Sequence, residues 1–354
     1  MHQVRVTGPG QVEVVDIPAP DPGGARVLLE LHSAGICGGD ISLVRGTNAI
    51  ARYPTVPGHE CVARVVSAPA HTGLAEGAHV VVYPTLSCRR CRACADGRTN
   101  QCADIAVLGL SSPDGCFADR FVVDADQCVP LPDGIGPEHG ALVEPVAVGC
   151  HVVGRGTVRE GDTALVIGSG TIGMATAMVA RAMGVSRVLF ADLHPSRGEV
   201  LERLGFRDFT TASGDELVAW VTDRAGHVDL VYDTVTQSRT AGVAAEVLRG
   251  GGRYVAIGAA KPGHRLDLPY ERFYARELAM IACRNYSRED FRAAVTLIAA
   301  GRVDPRPLRT GVYGLPQVRE AFTALTERPA DHLKILMTRA DLVGTSELLT
   351  GADA

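Results

Sequence analysis

Between residues 163 and 192 the chain reads as an apolar strand, a glycine-rich turn, a helix and a second strand ending on an acid. No other stretch constrains the fold as tightly. Gly168-Ser169-Gly170-Thr171-Ile172-Gly173 is a G-x-G-x-x-G, weak as a bare pattern but specific where it follows a strand and opens a helix. Gly168 permits the tight turn, Gly170 lets the backbone approach a pyrophosphate, and Gly173 lets helix and strand pack closely. The helix N-terminus then faces the anion. Asp192 closes the second strand, where a carboxylate accepts hydrogen bonds from an adenosine ribose diol and repels a 2′-phosphate. The expected cofactor is therefore NAD rather than NADP, and Arg197 lies near enough in sequence to soften that preference.

Strand–helix alternation continues on both sides of this motif. Residues 174–183 read as a helix closed by Gly184, residues 187–191 as a strand, and residues 196–204 as a helix closed by Gly205. Strands are expected at 229–232, 253–257 and 278–282, which together predict a parallel sheet of βαβ units. The first 135 residues differ. Short β-rich runs at 12–14, 27–31, 61–66 and 79–82 are separated by Pro18-Ala19-Pro20 and Pro22-Gly23-Gly24. After residue 285 a helix over 288–300 leads to a last strand at 333–337, and residues 338–354 read as a loosely held tail. The fold class is α/β plus β. The expected division is 1–150 with a lobe at about 86–104, then 151–284, then a return to the first domain over 285–354.

A length of 354 residues fits about two domains. Apolar residues make up 46% of the chain, which rules out intrinsic disorder. A net charge of −5 argues against nucleic acid as a partner. The longest uncharged run, residues 163–180, contains three glycines and reads as a buried strand turning into a helix, not as a membrane span. Residues 1–10 lack the apolar core of a signal peptide, so a cytoplasmic location is expected. Of 35 basic residues only Lys261 and Lys334 are lysine, which reads as a compositional bias of the genome.

Four of the ten cysteines crowd into Cys88-x-x-Cys91-x-x-Cys94-x7-Cys102. In a reducing compartment such a cluster is read as metal ligands before disulfides. Four thiolates close a tetrahedral site with no open position, the arrangement of a structural zinc. The acidic whole weighs against a nucleic-acid zinc ribbon, despite Arg89, Arg90, Arg92 and Arg98 in the lobe. Three further elements carry ligand chemistry: Gly35-Ile36-Cys37-Gly38-Gly39-Asp40, Pro57-Gly58-His59-Glu60, and Leu142-Val143-Glu144-Pro145. Each alone is unremarkable. Together they supply a thiolate, an imidazole and a carboxylate, and three protein ligands leave a fourth position for water or substrate.

With these motifs in this order, the chain resembles the zinc-dependent medium-chain dehydrogenases of the alcohol dehydrogenase superfamily, in the branch of the sorbitol, threonine and other polyol dehydrogenases. The resemblance runs from about residue 4 to residue 337. It implies a GroES-like β-barrel catalytic domain with an inserted Rossmann doubly wound sheet, two Zn2+ per chain (one catalytic, one structural), NAD, and a homodimer or homotetramer. The implied reaction moves a hydride between a hydroxylated small molecule and NAD, turning a secondary alcohol of polyol, sugar, cyclitol or amino-alcohol type into a ketone. The family holds its catalytic metal through positions matching Cys37, His59 and either Glu60 or Glu144. Because the adjacent His59 and Glu60 need a bend to face one metal, Cys37, His59 and Glu144 are expected as resting ligands and Glu60 as an exchanging or supporting one.

One departure stands out. The family starts its proton relay from a Ser or Thr two residues after the cysteine ligand and often finishes it on a His five residues after; here those positions are Gly39 and Ser42. Water or Ser42 is expected to carry the proton, and the space beside Gly39 to admit a bulky ring. Leu43, Arg284, Asn285 and Tyr286 are candidate pocket neighbours. The weakened relay also keeps two alternatives in view. One is a redox-neutral epimerase that retains its NAD; the other is a zinc-stabilised binding protein without catalysis.

Overall fold

The computed structural model of the protein describes residues 1–132, 135–260 and 263–345. The part of the expected tail beyond Thr345 lies outside the described residues. The chain forms two compact units. One comprises Met1–Glu144, Ser287–Gly301 and the chain from Pro305 onward; the other comprises Pro145–Tyr286 with Arg302–Asp304. The crossover between them falls at Glu144/Pro145, inside the helix Val143–Gly156, and not at residue 150.

The first unit is built on strand Val27–Gly35. It pairs antiparallel with Glu60–Ser67, Arg120–Val123 and Lys334–Thr338. The sheet continues outward through His79–Val82 and Cys128–Pro130 on one side and Arg309–Gly314 on the other. Val27, Leu29 and Leu31 are fully buried, as are Val4, Val65, Phe117 and Ile335 in the same core. The central strand runs four residues past the apolar alternation that announces it, because Ser33, Ala34 and Gly35 are also buried and paired. That extension brings Gly35 opposite Glu60.

Strand Arg309–Gly314 was not expected, since its Gly311 and Gly314 mask the β pattern. The expected tail starts too early. Thr338 is the fully buried last residue of strand Lys334–Thr338, and its hydroxyl donates to the His32 carbonyl at 2.6 Å.

The second unit is a six-stranded parallel sheet in the order Asp208–Thr210, Arg187–Ala191, Thr163–Ile167, Val228–Asp233, Leu248–Ala256, Ala279–Ala282. The order reverses beside Thr163–Ile167, and in such sheets ligands bind at the carboxyl ends of the strands at that switch point. Leu165, Leu189, Leu230 and Tyr254 are fully buried, as expected for strands covered on both faces. The three-residue strand Asp208–Thr210 escaped sequence reading because an acid opens it. Among the described residues no helix is long and apolar enough to cross a membrane.

Candidate active site

Cys37 caps the N-terminus of helix Gly38–Val44 with extended backbone. Three residues on, Asp40 turns back: its Oδ2 accepts the Cys37 N–H at 2.9 Å. Its Oδ1 accepts the Gly58 N–H at 3.1 Å and lies 3.7 Å from His59 Nδ1. Asp40 is fully buried. One carboxylate therefore fixes the segments that carry Cys37 and His59. Sequence reading quoted Asp40 only as part of a motif; its position three residues after the cap is the signal that could have identified it.

Gly58 holds φ at +95° immediately before His59, a conformation that favours glycine. This is the bend that lets His59 and Glu60 face one point. Ligand atoms of Cys37, His59 and Glu60 all lie within 4.8 Å of one another. Glu144 is not in that group. It is mostly buried in the first turn of helix Val143–Gly156, and its charge acts on His59 from there. The geometry groups Glu60, and not Glu144, with Cys37 and His59. Burial disfavours an imidazolium at His59, but the charges of Asp40, Cys37 and Glu144 outweigh it and draw the group well above its usual range.

Glu60 enters through a notch in the neighbouring strand. Gly35 pairs with it across the ladder, and a Cβ at residue 35 would lie 2.1 Å from Glu60 Oε2. Lys334 closes the other side. Its Nζ donates to Glu60 Oε1 at 2.8 Å, to Oε2 at 2.7 Å and to the Ile36 carbonyl at 3.0 Å. Both side chains are buried, and the charge of Glu60 outweighs burial to keep the ammonium protonated. Sequence reading missed Lys334, although a lone lysine inside the apolar run 333–337 was a legible anomaly.

Ser42 donates its hydroxyl to the Gly39 carbonyl at 2.8 Å. The space beside Gly39 is not open to a ring, which corrects the expectation from sequence. A Cβ there would lie 3.0 Å from Leu110 Cδ1, so Leu110 already fills it. Leu43 is fully buried in the core of the first unit and is no pocket neighbour.

The four-cysteine lobe is assembled. All four sulfurs lie within 4.8 Å of one another, with Cys91–Cys94 at 3.5 Å and Cys88–Cys94 at 4.0 Å. The edge of a tetrahedron with zinc–sulfur bonds of about 2.3 Å is about 3.8 Å, so the spacing fits that metal. Backbone N–H groups of Arg90 and Cys91 pull the Cys88 thiol down to about 6, toward the ligating thiolate. At the other centre, thiolate, imidazole and carboxylate are again a zinc-type set, and the buried Nδ1 of His59 has no hydrogen-bond partner.

In the second unit Gly168 holds φ at +92°, and a Cβ at Gly173 would lie 2.0 Å from the Gly168 carbonyl oxygen. Gly170 caps helix Thr171–Ala182, and a Cβ on it would meet nothing within 4 Å, leaving room for a phosphate above Thr171 and Ile172. Asp192 accepts the Ser169 N–H at 2.6 Å and the His194 N–H at 2.9 Å, which ties the acid to the glycine turn. Arg197 opens the next helix and is buried. Leu193 and Val235, 72% and 41% exposed, offer apolar surface for flat rings just past the carboxyl ends of two strands.

Known proteins resemble this chain over most of its length. Residues 23–133 match the alcohol dehydrogenase GroES-like domain, and residues 171–300 match the zinc-binding dehydrogenase domain. L-galactonate-5-dehydrogenase of Escherichia coli K12 is 33% identical over 316 residues, covering 86% of this chain and 88% of the relative. L-idonate 5-dehydrogenase of Vitis vinifera is 30% identical over 329 residues, covering 90% and 89%. Among solved structures, an alcohol dehydrogenase of E. coli CFT073 complexed with NADH superposes with a TM-score of 0.88 at 25% identity, covering 96% of this chain and 99% of that one. The chain belongs to the zinc-binding alcohol dehydrogenase family.

In the protein stripped of metal, replacing Lys334 with Met leaves the Glu60 carboxylate buried and unpaired. Lys334→Met is expected to lower unfolding stability by about 3–5 kcal/mol in denaturant titrations. Lys334→Met/Glu60→Gln is expected to recover part of that loss, whereas a single variant as stable as the parent would contradict the pairing.

Proposed function

We propose that the protein oxidises a hydroxylated secondary alcohol of the polyol, sugar or sugar-acid kind to the ketone, with NAD as acceptor and Cys37, His59 and Glu60 holding a catalytic zinc. The observation that carries this reading is the convergence of those three ligands on one buried point, beside a carboxylate that orients two of them. Zinc bound there supplies Lewis acidity, lowering the pKa of an oxygen in its open coordination position. The chain does the rest. Asp40 orients Cys37 and His59, Lys334 holds the Glu60 carboxylate, and Glu144 adds negative charge near the imidazole. The released proton goes to water, and Ser42, which carries the hydroxyl of helix Gly38–Val44, relays it only by giving up its bond to the Gly39 carbonyl. Cys88, Cys91, Cys94 and Cys102 hold the second, structural zinc.

The cofactor site is Gly168, Gly170, Thr171, Ile172 and Gly173 for the pyrophosphate and Asp192 for the ribose diol. Asp192 supports NAD over NADP, and a buried Arg197 offers a 2′-phosphate little. The relatives named for sugar acids support a hydroxyl-rich substrate. All ten cysteines are free of disulfides, five of them among the proposed metal ligands, and such a set would be at home in the cytoplasm.

We infer a homo-oligomer that uses the sheet edge Ala279–Ala282. Ala279, Met280 and Ala282 are exposed there without a charge or proline, and Tyr270 and Tyr274 beside them are each 76% exposed. The opposite edge is guarded, since Asp208 pairs with Arg187 and Arg224. Bare edges of this kind invite pairing with another strand.

The reaction is tested by following NADH formation by absorbance across polyols, sugar acids, cyclitols and amino alcohols. Turnover on a secondary alcohol, absent in Cys37→Ala and weaker with NADP, is expected. Silence across the panel with NAD retained through purification would point to the epimerase instead. For the assembly, Met280→Glu is expected to shift sedimentation toward monomer, and an unchanged sedimentation coefficient would remove this edge from the interface.

A further inference from the structure

The segment between the four-cysteine lobe and the strand at 120–123 has no role in the chemistry above, yet it packs on both ligand-bearing segments. It leaves the lobe through the short ladder Ala106–Val107 against Thr85–Leu86. The Val107 carbonyl then accepts three amide N–H groups, from Leu110, Ser111 and Ser112. The Val107 N–H in turn donates to Ser111 Oγ at 3.0 Å, so the turn is locked by its own backbone. Its far end is pinned as well: Val56 N–H donates to the Pro113 carbonyl at 2.9 Å, Cys116 N–H to the Gly58 carbonyl at 3.0 Å and Phe117 N–H to the Pro57 carbonyl at 3.0 Å.

Four glycines make the approach possible. A Cβ at Gly109 would lie 2.6 Å from the Gly58 carbonyl oxygen, and one at Gly115 would lie 2.2 Å from the Val56 carbonyl oxygen. A Cβ at Gly58 would meet Phe117 Cδ1 at 2.3 Å and Cys116 Sγ at 2.9 Å. At Gly39, two residues after Cys37, the clash is with the tip of Leu110 alone, at 3.0 and 3.2 Å from its two methyl carbons. By contrast, a Cβ at Gly38 would meet nothing within 4 Å. The same turn therefore touches the His59 segment with backbone and the Cys37 helix with one side chain.

We propose that residues 107–117 brace the Cys37/His59/Glu60 centre, with Leu110 the positioning residue that sets how far the Cys37 helix stands from the His59 segment. The proposal rests on the reading that these three residues hold a metal. Asp40 draws the two segments together through hydrogen bonds, and Leu110 against Gly39 limits their approach by van der Waals contact. Interiors this closely packed transmit a change of even one methylene. Because the brace begins five residues after Cys102, order in the four-cysteine lobe is passed directly to the catalytic ligands.

The test uses cadmium-loaded full-length protein and cadmium NMR, in which a four-thiolate site and a one-thiolate site resonate apart. The rate at which a chelator removes the metal of the three-ligand site is measured in parallel. Leu110→Ala and Gly39→Val are each expected to move the one-thiolate resonance and to speed metal loss about tenfold or more, the scale seen when groups that orient ligands are removed. The four-thiolate resonance should stay in place. Gly39→Val/Leu110→Ala refills the space from the other side and should return both readouts toward the parent. If Leu110→Ala does not fold, Leu110→Val should give a smaller change in the same direction. A parent resonance and parent loss rate in the Leu110 variants would overturn the brace, as would purely additive effects in the double variant. A parent protein showing the four-thiolate resonance alone would overturn the metal-site reading itself, an outcome distinct from the others.

Discussion

A carboxylate with no access to solvent persists inside a protein only where hydrogen bonds or charges replace the water it gave up, because an unpaired buried ion costs several kcal/mol. Asp40 meets that condition by accepting the backbone N–H groups of Cys37 and Gly58 while standing 3.7 Å from His59. The rest of the centre depends on this arrangement. Two chain segments that differ by some twenty positions in sequence are fixed to one acid, and the ligands they carry are fixed with them. Glu60 repeats the principle with Lys334, whose ammonium is itself held by the Ile36 carbonyl next to Cys37. The strands supply the register. Gly35 faces Glu60 on one side and Leu336 on the other, so three strands converge where the ligands meet.

The centre therefore concentrates charge in a setting that would not tolerate it unpaired. Asp40 is satisfied by the Cys37 and Gly58 amides and Glu60 by Lys334, while His59 Nδ1 is left without a hydrogen-bond partner. Proton release is the step for which this chain is least equipped. Gly39 has no side chain, Leu110 occupies the space one would need, and the Ser42 hydroxyl is committed to a helix carbonyl. A polar relay has here been replaced by a packing contact.

Much of this was legible in sequence where local chemistry dictates geometry. The glycine fingerprint could be assigned residue by residue because tight turns, close approach and positive φ each demand glycine, and Gly168 and Gly173 meet those demands. The four cysteines were equally plain, since their spacing leaves few arrangements other than one metal. Contacts between distant segments were harder. Sequence shows that His59 and Glu60 need a bend to face one point, and shows Gly58 before them, but not that Gly58 takes the positive φ that supplies it. The scarcity of lysine read as composition, and the role of Lys334 shows only where strand Lys334–Thr338 pairs beside Gly35. Gly39 read as vacant space because the residue that fills it, Leu110, is remote in the chain.

Cys37, His59 and Glu60 are proposed to hold a metal apart from the four-cysteine lobe. Diffraction from crystals of the purified protein on either side of the zinc absorption edge tests it most directly. Two anomalous peaks per chain are predicted, one inside the Cys88/Cys91/Cys94/Cys102 cage and one within bonding distance of Cys37 Sγ, His59 and the Glu60 carboxylate. A single peak at the cage, with the Glu60–Lys334 pair intact and no density beside Cys37, would contradict the account.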